Sequence, residues 1–142
     1  MYLSRLIYTS TISPSFSQGS IEDILNTARR NNNKNHVTGM LLFNRKYFLQ
    51  SLEGSRVAVN NTFHNIANDP RHNQLIMLDY REVTSRAYTG WSMGYLAESL
   101  MSSAIISKFS GTQLFNPYEM SGESAHQLML ASKDMALDAK QD

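Results

Sequence analysis

Apolar and polar positions along the first hundred residues follow two different periods, and the switches between them mark out the elements. Leu3 to Ser10 reads as a strand, with Leu6, Tyr8 and Ser10 on one face and Ile7 and Thr9 on the other. The segment SPSFSQG, carrying Pro14 and Gly19, interrupts it. Ser20 suits an N-cap, and Ile21, Ile24, Leu25 and Ala28 then recur at i, i+3, i+4 and i+7. That spacing predicts an amphipathic helix to about Arg30, with Asn31, Asn32 and Asn33 at its end. From Val37 to Gly54 the chain reads VTGMLLFNRKYFLQSLEG, two strands joined by a tight turn at Asn44, Arg45 and Lys46. A second helix starts at Gly54–Ser55, carries Val59, Phe63 and Ile66 at helical spacing, and stops at Asp69-Pro70. Leu75 to Val83 and Tyr88 to Tyr95 read as further strands, the last holding Trp91 and Met93.

The order is β-α-β-β-α-β plus one strand, an α+β, ferredoxin-like βαββαββ sheet with two helices on one face. On this reading the first and third strands are parallel central neighbours. Tyr8 and Gln50 then lie side by side if both point to the helix-covered face. Beyond Leu100 the pattern turns helical again, over Met101 to Phe109 and Glu123 to about Asp138, with Leu128, Ala131, Met135 and Ala139 as one stripe. Two C-terminal helices can cover the open face of the sheet, mediate assembly, or both. The division is a sheet domain over 1–97 and a helical extension over 98–142.

Composition narrows the chemistry. The 142 residues are 42% hydrophobic, enough for a real core, and 13 basic against 12 acidic residues leave a net charge of +1 with no basic stripe for nucleic acid. There is no cysteine, which excludes disulfides, thiolate metal sites and cysteine nucleophiles. The four histidines are far apart, and no Gly-x-Ser-x-Gly elbow or P-loop occurs. No apolar run approaches the roughly 20 residues that span a bilayer, and the N-terminus lacks a signal-peptide pattern, so a cytoplasmic protein is expected.

Gln50 shares a strand face with Phe48 and Leu52, and a buried amide there must find partners or cost about 1–3 kcal/mol. Backbone or internal water can satisfy it, and residues placed like Tyr8, Gln50 and Trp91 are more often core residues than a reaction centre. Yet a tyrosine beside a glutamine can give up an electron and a proton together if an electron-hungry aromatic cofactor lies alongside. Arg71 and His72, just beyond the second helix, fit either a solvated turn or the mouth of a cleft that takes an anion.

The landmarks RLIYTS with Tyr8, ARRNN with Asn31 and Asn32, VTGMLLF, FLQSLEG with Gln50, DPRH, and WSM with Trp91 and Met93 occur in that order. Together they resemble the BLUF family of flavin-using blue-light receptors, most closely its short members with two C-terminal helices. The resemblance is strongest over residues 3 to 95. It implies a non-enzymatic photoreceptor whose flavin lies between the two amphipathic helices near Ile24 and Ile66, beside Phe48. Asn31 and Asn32 bond the ring's polar edge, Gln50 bridges the ring and the Tyr8 hydroxyl, and Arg71 and His72 approach the flavin's outer part. It further implies that light moves an electron and a proton from Tyr8 through Gln50. The glutamine rearranges, absorption shifts to the red, and Trp91 and Met93 relay the change to the C-terminal helices.

FAD is the implied cofactor. Asn65 stands where close relatives often carry an arginine near the flavin tail, which leaves FMN and riboflavin open. The implied partners are a downstream signalling protein and further copies of the chain in a homo-oligomer, with neither nucleic acid nor membrane. Two other readings stand beside it: a small flavin-dependent oxidoreductase, and an RRM-like binder of single-stranded RNA. The RNP1 pattern is not matched by RKYFLQSL.

Overall fold

The computed structural model describes residues 2–14, 16 and 20–136. Five strands form one sheet: β1 (Leu3–Ile12), β2 (Thr38–Phe43), β3 (Tyr47–Ser55), β4 (His72–Val83) and β5 (Gly94–Ala97). Four helices accompany it: α1 (Ser20–Asn35), α2 (Arg56–Ala67), α3 (Ser103–Ser110) and α4 (Gly122–Ser132). The sheet order is β4-β1-β3-β2-β5. All neighbours are antiparallel except β2 and β5, which run parallel.

The expectation that β1 and β3 run parallel is therefore corrected. The crossover through α1 makes β1 and β2 parallel with β3 inserted between them, and the β2–β3 hairpin reverses β3 against both. Tyr8 consequently lies directly across from Gln50 in the register.

Strand alternation builds two cores. Leu6, Tyr8, Leu41, Phe48, Leu52 and Met93 pack under α1 and α2 with Leu25 and Val59. Ile7, Met40, Leu42, Leu49 and Leu96 face the other way and pack against Ile106 of α3 and Ala125, Leu128 and Met129 of α4. Each large apolar side chain so buried contributes about 1.5–3 kcal/mol. The C-terminal helices thus cover the second face. The expected stripe is not one face: Leu128 is fully buried, Ala131 is exposed and Met135 is 39% exposed. Ala139 lies outside the described residues. The buried stripe is Ala125, Leu128, Met129 and Ser132, and α4 gives way at Lys133 to a short 3-10 turn.

Two further boundaries differ from the sequence reading. α1 runs through the asparagines to Asn35. His36 then adopts a left-handed conformation, and Val37 N–H bonds back to Asn32 O at 2.9 Å. This is a Schellman ending, displaced one turn beyond the residues of poorest helix propensity. The segment 88–93 is a loop: Gly90, with φ +82°, closes a turn in which Trp91 N–H bonds to Tyr88 O at 2.9 Å. Serine side chains cap the other helices, with Ser55, Ser102 and Ser121 each accepting from a backbone N–H in the first turn. Among the described residues no helix is long and apolar enough to cross a membrane.

Candidate functional site

Tyr8 and Gln50 meet because the β1–β3 register sets them opposite one another, both pointing toward α1 and α2. The Tyr8 hydroxyl donates to Gln50 Oε1, and both side chains are buried. Gln50 Nε2 donates in turn to Met93 Sδ at 3.4 Å, a weak acceptor. Burial pushes the Tyr8 phenol far above its ordinary pKa, and the Asp69 carboxylate raises it further. Loss of the proton alone is thus strongly disfavoured, and the proton becomes mobile only if the ring also loses an electron.

Above this pair lies a cavity of about 320 Å³ between α1, α2 and the sheet, within the range of about 300–1,000 Å³ typical of small-molecule sites. All nine residues singled out from the sequence line it: Tyr8, Phe48 and Gln50 from the strands, Ile24, Asn31 and Asn32 from α1, Ile66 from α2, and Arg71 and His72 at the start of β4. Thr27, Ala28, Lys34, Asn35, Leu41, Leu52, Thr62, Asn65 and Asp69 complete the wall. Of these, Ala28 and Leu52 were legible only as core positions. Lys34 and Asn35 belong to the extra turn of α1.

The polar groups are tightly held. His72 Nε2 donates to Ile66 O at 2.7 Å, and its Nδ1 lies 2.7 Å from the Ser10 hydroxyl, fixing the ring beside Tyr8 and Phe48. Arg71 is chelated by Asp69, through Nε at 3.0 Å to each carboxylate oxygen and Nη2 at 2.6 Å to Oδ2. Those bonds hold the Asp69 carboxyl below the usual carboxylate range. Arg71 is therefore already partly neutralised, and an anion at the cavity mouth would compete with Asp69 for it. Asn32 is buried, and its Nδ2 donates to Ser92 O at 2.6 Å. Asn31 is exposed, with its backbone carbonyl bonded to Asn35 Nδ2.

The loop from Arg86 to Met93 joins this cavity to the opposite core. Buried Glu53 accepts from Ala87 N at 2.9 Å, Tyr88 N at 2.7 Å and Thr38 Oγ1 at 2.9 Å. Arg86 ties the same corner to the carbonyls of Glu53 and His36. Sequence reasoning missed Glu53, since nothing in its spacing separates it from an exposed hairpin glutamate. Met93 packs in the core beneath α1 and α2, whereas Trp91 packs with the core under α3 and α4. Lys133 lies over the Trp91 and Tyr88 rings, 5.5 and 5.8 Å from their centroids, and donates to Ala87 O at 2.7 Å. Among the described residues no group of three or more His, Asp or Glu side chains is placed to hold a metal ion.

Known proteins resemble this chain in sequence and in fold. The sequence model of the BLUF family, sensors of blue-light using FAD, matches residues 3–94. The chain is 40% identical over 76 residues to the blue light- and temperature-regulated antirepressor BluF of Escherichia coli K12, covering 54% of this chain and 19% of that protein. It is 31% identical over 100 residues to photoactivated adenylate cyclase subunit beta of Euglena longa, covering 70% of this chain and 12% of that protein. The chain thus spans only a small part of the length of these curated relatives. BlsA in its ground state matches with a TM-score of 0.81 at 27% identity, over 92% of this chain and 86% of that one. BlrB, a BLUF protein in its dark state, matches with a TM-score of 0.76 at 28% identity, over 92% and 97%. Klebsiella pneumoniae BlrP1 with FMN and cyclic diGMP matches with a TM-score of 0.67 at 31% identity, over 72% and 27%. With the family match spanning the sheet strands β1 to β4 and both cavity-lining helices, this chain belongs to the BLUF family of flavin-using blue-light sensors.

Proposed function

We propose that the cavity between α1, α2 and the sheet holds the flavin ring, and that Tyr8 and Gln50 convert absorbed light into a change of hydrogen bonding. The observation that carries this reading is the Tyr8 hydroxyl donating to Gln50 Oε1 at the cavity floor. The polar set suits the ring: its pyrimidine edge alternates carbonyl and N–H groups, and the amides of Asn31, Asn32 and Gln50 between them carry N–H donors and carbonyl acceptors. Asn32 spends Nδ2 on Ser92 O and keeps Oδ1 to accept. Ile24 and Ile66 supply apolar walls.

A bound flavin would supply, on excitation, the electron demand that makes the Tyr8 proton mobile. The proton would pass along the existing bond to Gln50 Oε1 and return to the Tyr8 oxygen together with the electron, so that no net oxidation remains. The Gln50 amide, then free to turn, exchanges its donor and acceptor ends and gives up its contact with Met93 Sδ. A net hydrogen bond is worth about 1 kcal/mol, enough to bias a nearly balanced element but not to remake a fold. That element is the Trp91–Met93 loop with α3 and α4, which we read as the output segment of a non-enzymatic sensor.

FAD is the proposed form of the flavin, in keeping with the family description. Arg71 and Lys34 line the cavity and would offer cationic groups to a phosphate-bearing tail. A downstream protein partner, assembly into a homo-oligomer and residence in the cytoplasm belong to the same reading. Leu128 is used in the core, so assembly would draw instead on exposed Leu100, Leu114 and Met135. The RNA-binding alternative loses its support, because the sheet face such a domain presents is buried under α3 and α4. The test is the visible spectrum of purified protein before and after blue light. A yellow protein that releases oxidised flavin on denaturation and shifts to the red on illumination supports the reading. A colourless protein that takes up no added flavin overturns it.

A further inference from the structure

Among the described residues, one side-chain hydrogen bond joins α4 to the sheet, inside a largely apolar interface. Its Gly122 is pressed against β4, where an added Cβ would come within 2.4 Å of Leu78 O. One turn on, buried His126 meets buried Arg5 of β1, with Arg5 Nη1 3.0 Å from His126 Nε2. Arg5 Nη2 donates to Asp79 of β4 at 3.3 Å, and Asp79 also accepts from Arg81 Nη2 at 2.9 Å. Two guanidiniums therefore share one carboxylate. A guanidinium can only donate, so His126 Nε2 is the acceptor and the ring's proton sits on Nδ1. That Nδ1 is buried and makes no hydrogen bond among the described residues.

We propose that the Arg5–His126 pair makes the docking of α4 on the sheet sensitive to pH, as an input separate from light. Protonation at Nε2 removes the acceptor and sets an imidazolium against the Arg5 guanidinium. The charged groups facing the ring are Arg5 from β1, Asp79 and Arg81 from β4, and Glu123 from α4 itself. Two cations and two carboxylates become three cations and two carboxylates, and Glu123 is exposed, so its compensation is weakened by water. Burial, with the Arg5 charge next in weight, holds the docked His126 below its ordinary pKa. A histidine depressed in the docked state takes up a proton on undocking. Docking is therefore complete above about pH 6.5 and weakens as pH falls below it, until the docked-state pKa is passed.

Hydrogen exchange of the purified chain in the dark, corrected for the intrinsic rate, tests this between about pH 7.5 and pH 5.5. Linkage limits the effect to about tenfold per pH unit below 6.5, so opening of α4 should rise up to about tenfold. β2 and β3 amides should not follow. His126→Gln keeps a neutral acceptor for Arg5 and should abolish the rise. Unchanged opening of α4 in the native chain, or the same rise in H126Q, overturns the proposal. If H126Q does not fold, an NMR titration of the native His126 ring decides. A midpoint below 6.5 shared by the α4 amides supports it, and a midpoint at or above 6.5, or α4 amides that do not follow, overturns it.

Discussion

Trp91 and Met93 are two residues apart yet belong to opposite cores: Met93 Sδ lies 3.4 Å from Gln50 Nε2, while Trp91 packs toward α3 and α4 beneath Lys133. One face of this short loop touches the glutamine and the other touches the C-terminal segment. Trp91→Ala should therefore keep the light-induced red shift, since Tyr8 and Gln50 are untouched. It should cost roughly 2 kcal/mol, below the range of about 3–5 kcal/mol for a fully buried aromatic, because Trp91 is only half-buried. Light-dependent changes in hydrogen exchange over α3 and α4 should shrink in the same variant. Unaltered changes there would remove Trp91 from the relay.

Met93→Leu keeps the bulk and should cost less than about 1.5 kcal/mol. It removes the sulfur that accepts from Gln50 Nε2, so the recovery rate of the shifted state should change while its amplitude holds. Flash spectroscopy reads both quantities. A recovery rate identical to the native one would mean that the contact is incidental.

These assignments divide unevenly between what the sequence displayed and what only the fold reveals. Alternation across Phe48, Gln50 and Leu52 places Gln50 on the helix-covered face, and the same period places Tyr8 there. The direction of β3 relative to β1 follows from the crossover rule, not from any residue, and the parallel assignment failed on that point. The full length of α1 was hidden because Asn31–Asn33 have weak helix propensity, which the His36 ending and the Asn32–Ser92 bond override. The α4 face was misread because its true stripe includes Ala125 and Ser132, which carry little hydrophobic signal. Glu53 was invisible, since a buried carboxylate is recognised only through the backbone N–H groups it serves.

Glu53→Ala should be among the most destabilising single changes outside the cavity. It leaves the buried N–H groups of Ala87 and Tyr88 without an acceptor, each at a cost of about 1–3 kcal/mol. Urea unfolding should show a loss of about 2–4 kcal/mol. A change within about 0.5 kcal/mol, typical of exposed positions, would contradict the corner described here.

The red shift should also be insensitive to pH over a wide window. Burial, reinforced by Asp69, drives the Tyr8 phenol well above 10, so the hydroxyl keeps its proton in the dark from about pH 6 to pH 9. The Asp69 carboxyl, held low by Arg71, stays ionised across the same window, and its clamp weakens only as pH falls below the ordinary carboxylate range toward the lowered value. Difference spectra of equal amplitude across the window are the expected result. A titration of the red shift centred near neutrality would mean that another group supplies the proton.

The relay itself is tested most directly by Tyr8→Phe, read as the light-minus-dark visible spectrum. The substitution keeps the ring, its edge contact with Phe63 and its place in the core, and removes only the hydroxyl that donates to Gln50. One lost hydrogen bond costs about 1 kcal/mol against a typical stability of about 5–15 kcal/mol, so fold and flavin content should survive. The account predicts a yellow, folded protein with no light-induced red shift. A native red shift in Tyr8→Phe would contradict it.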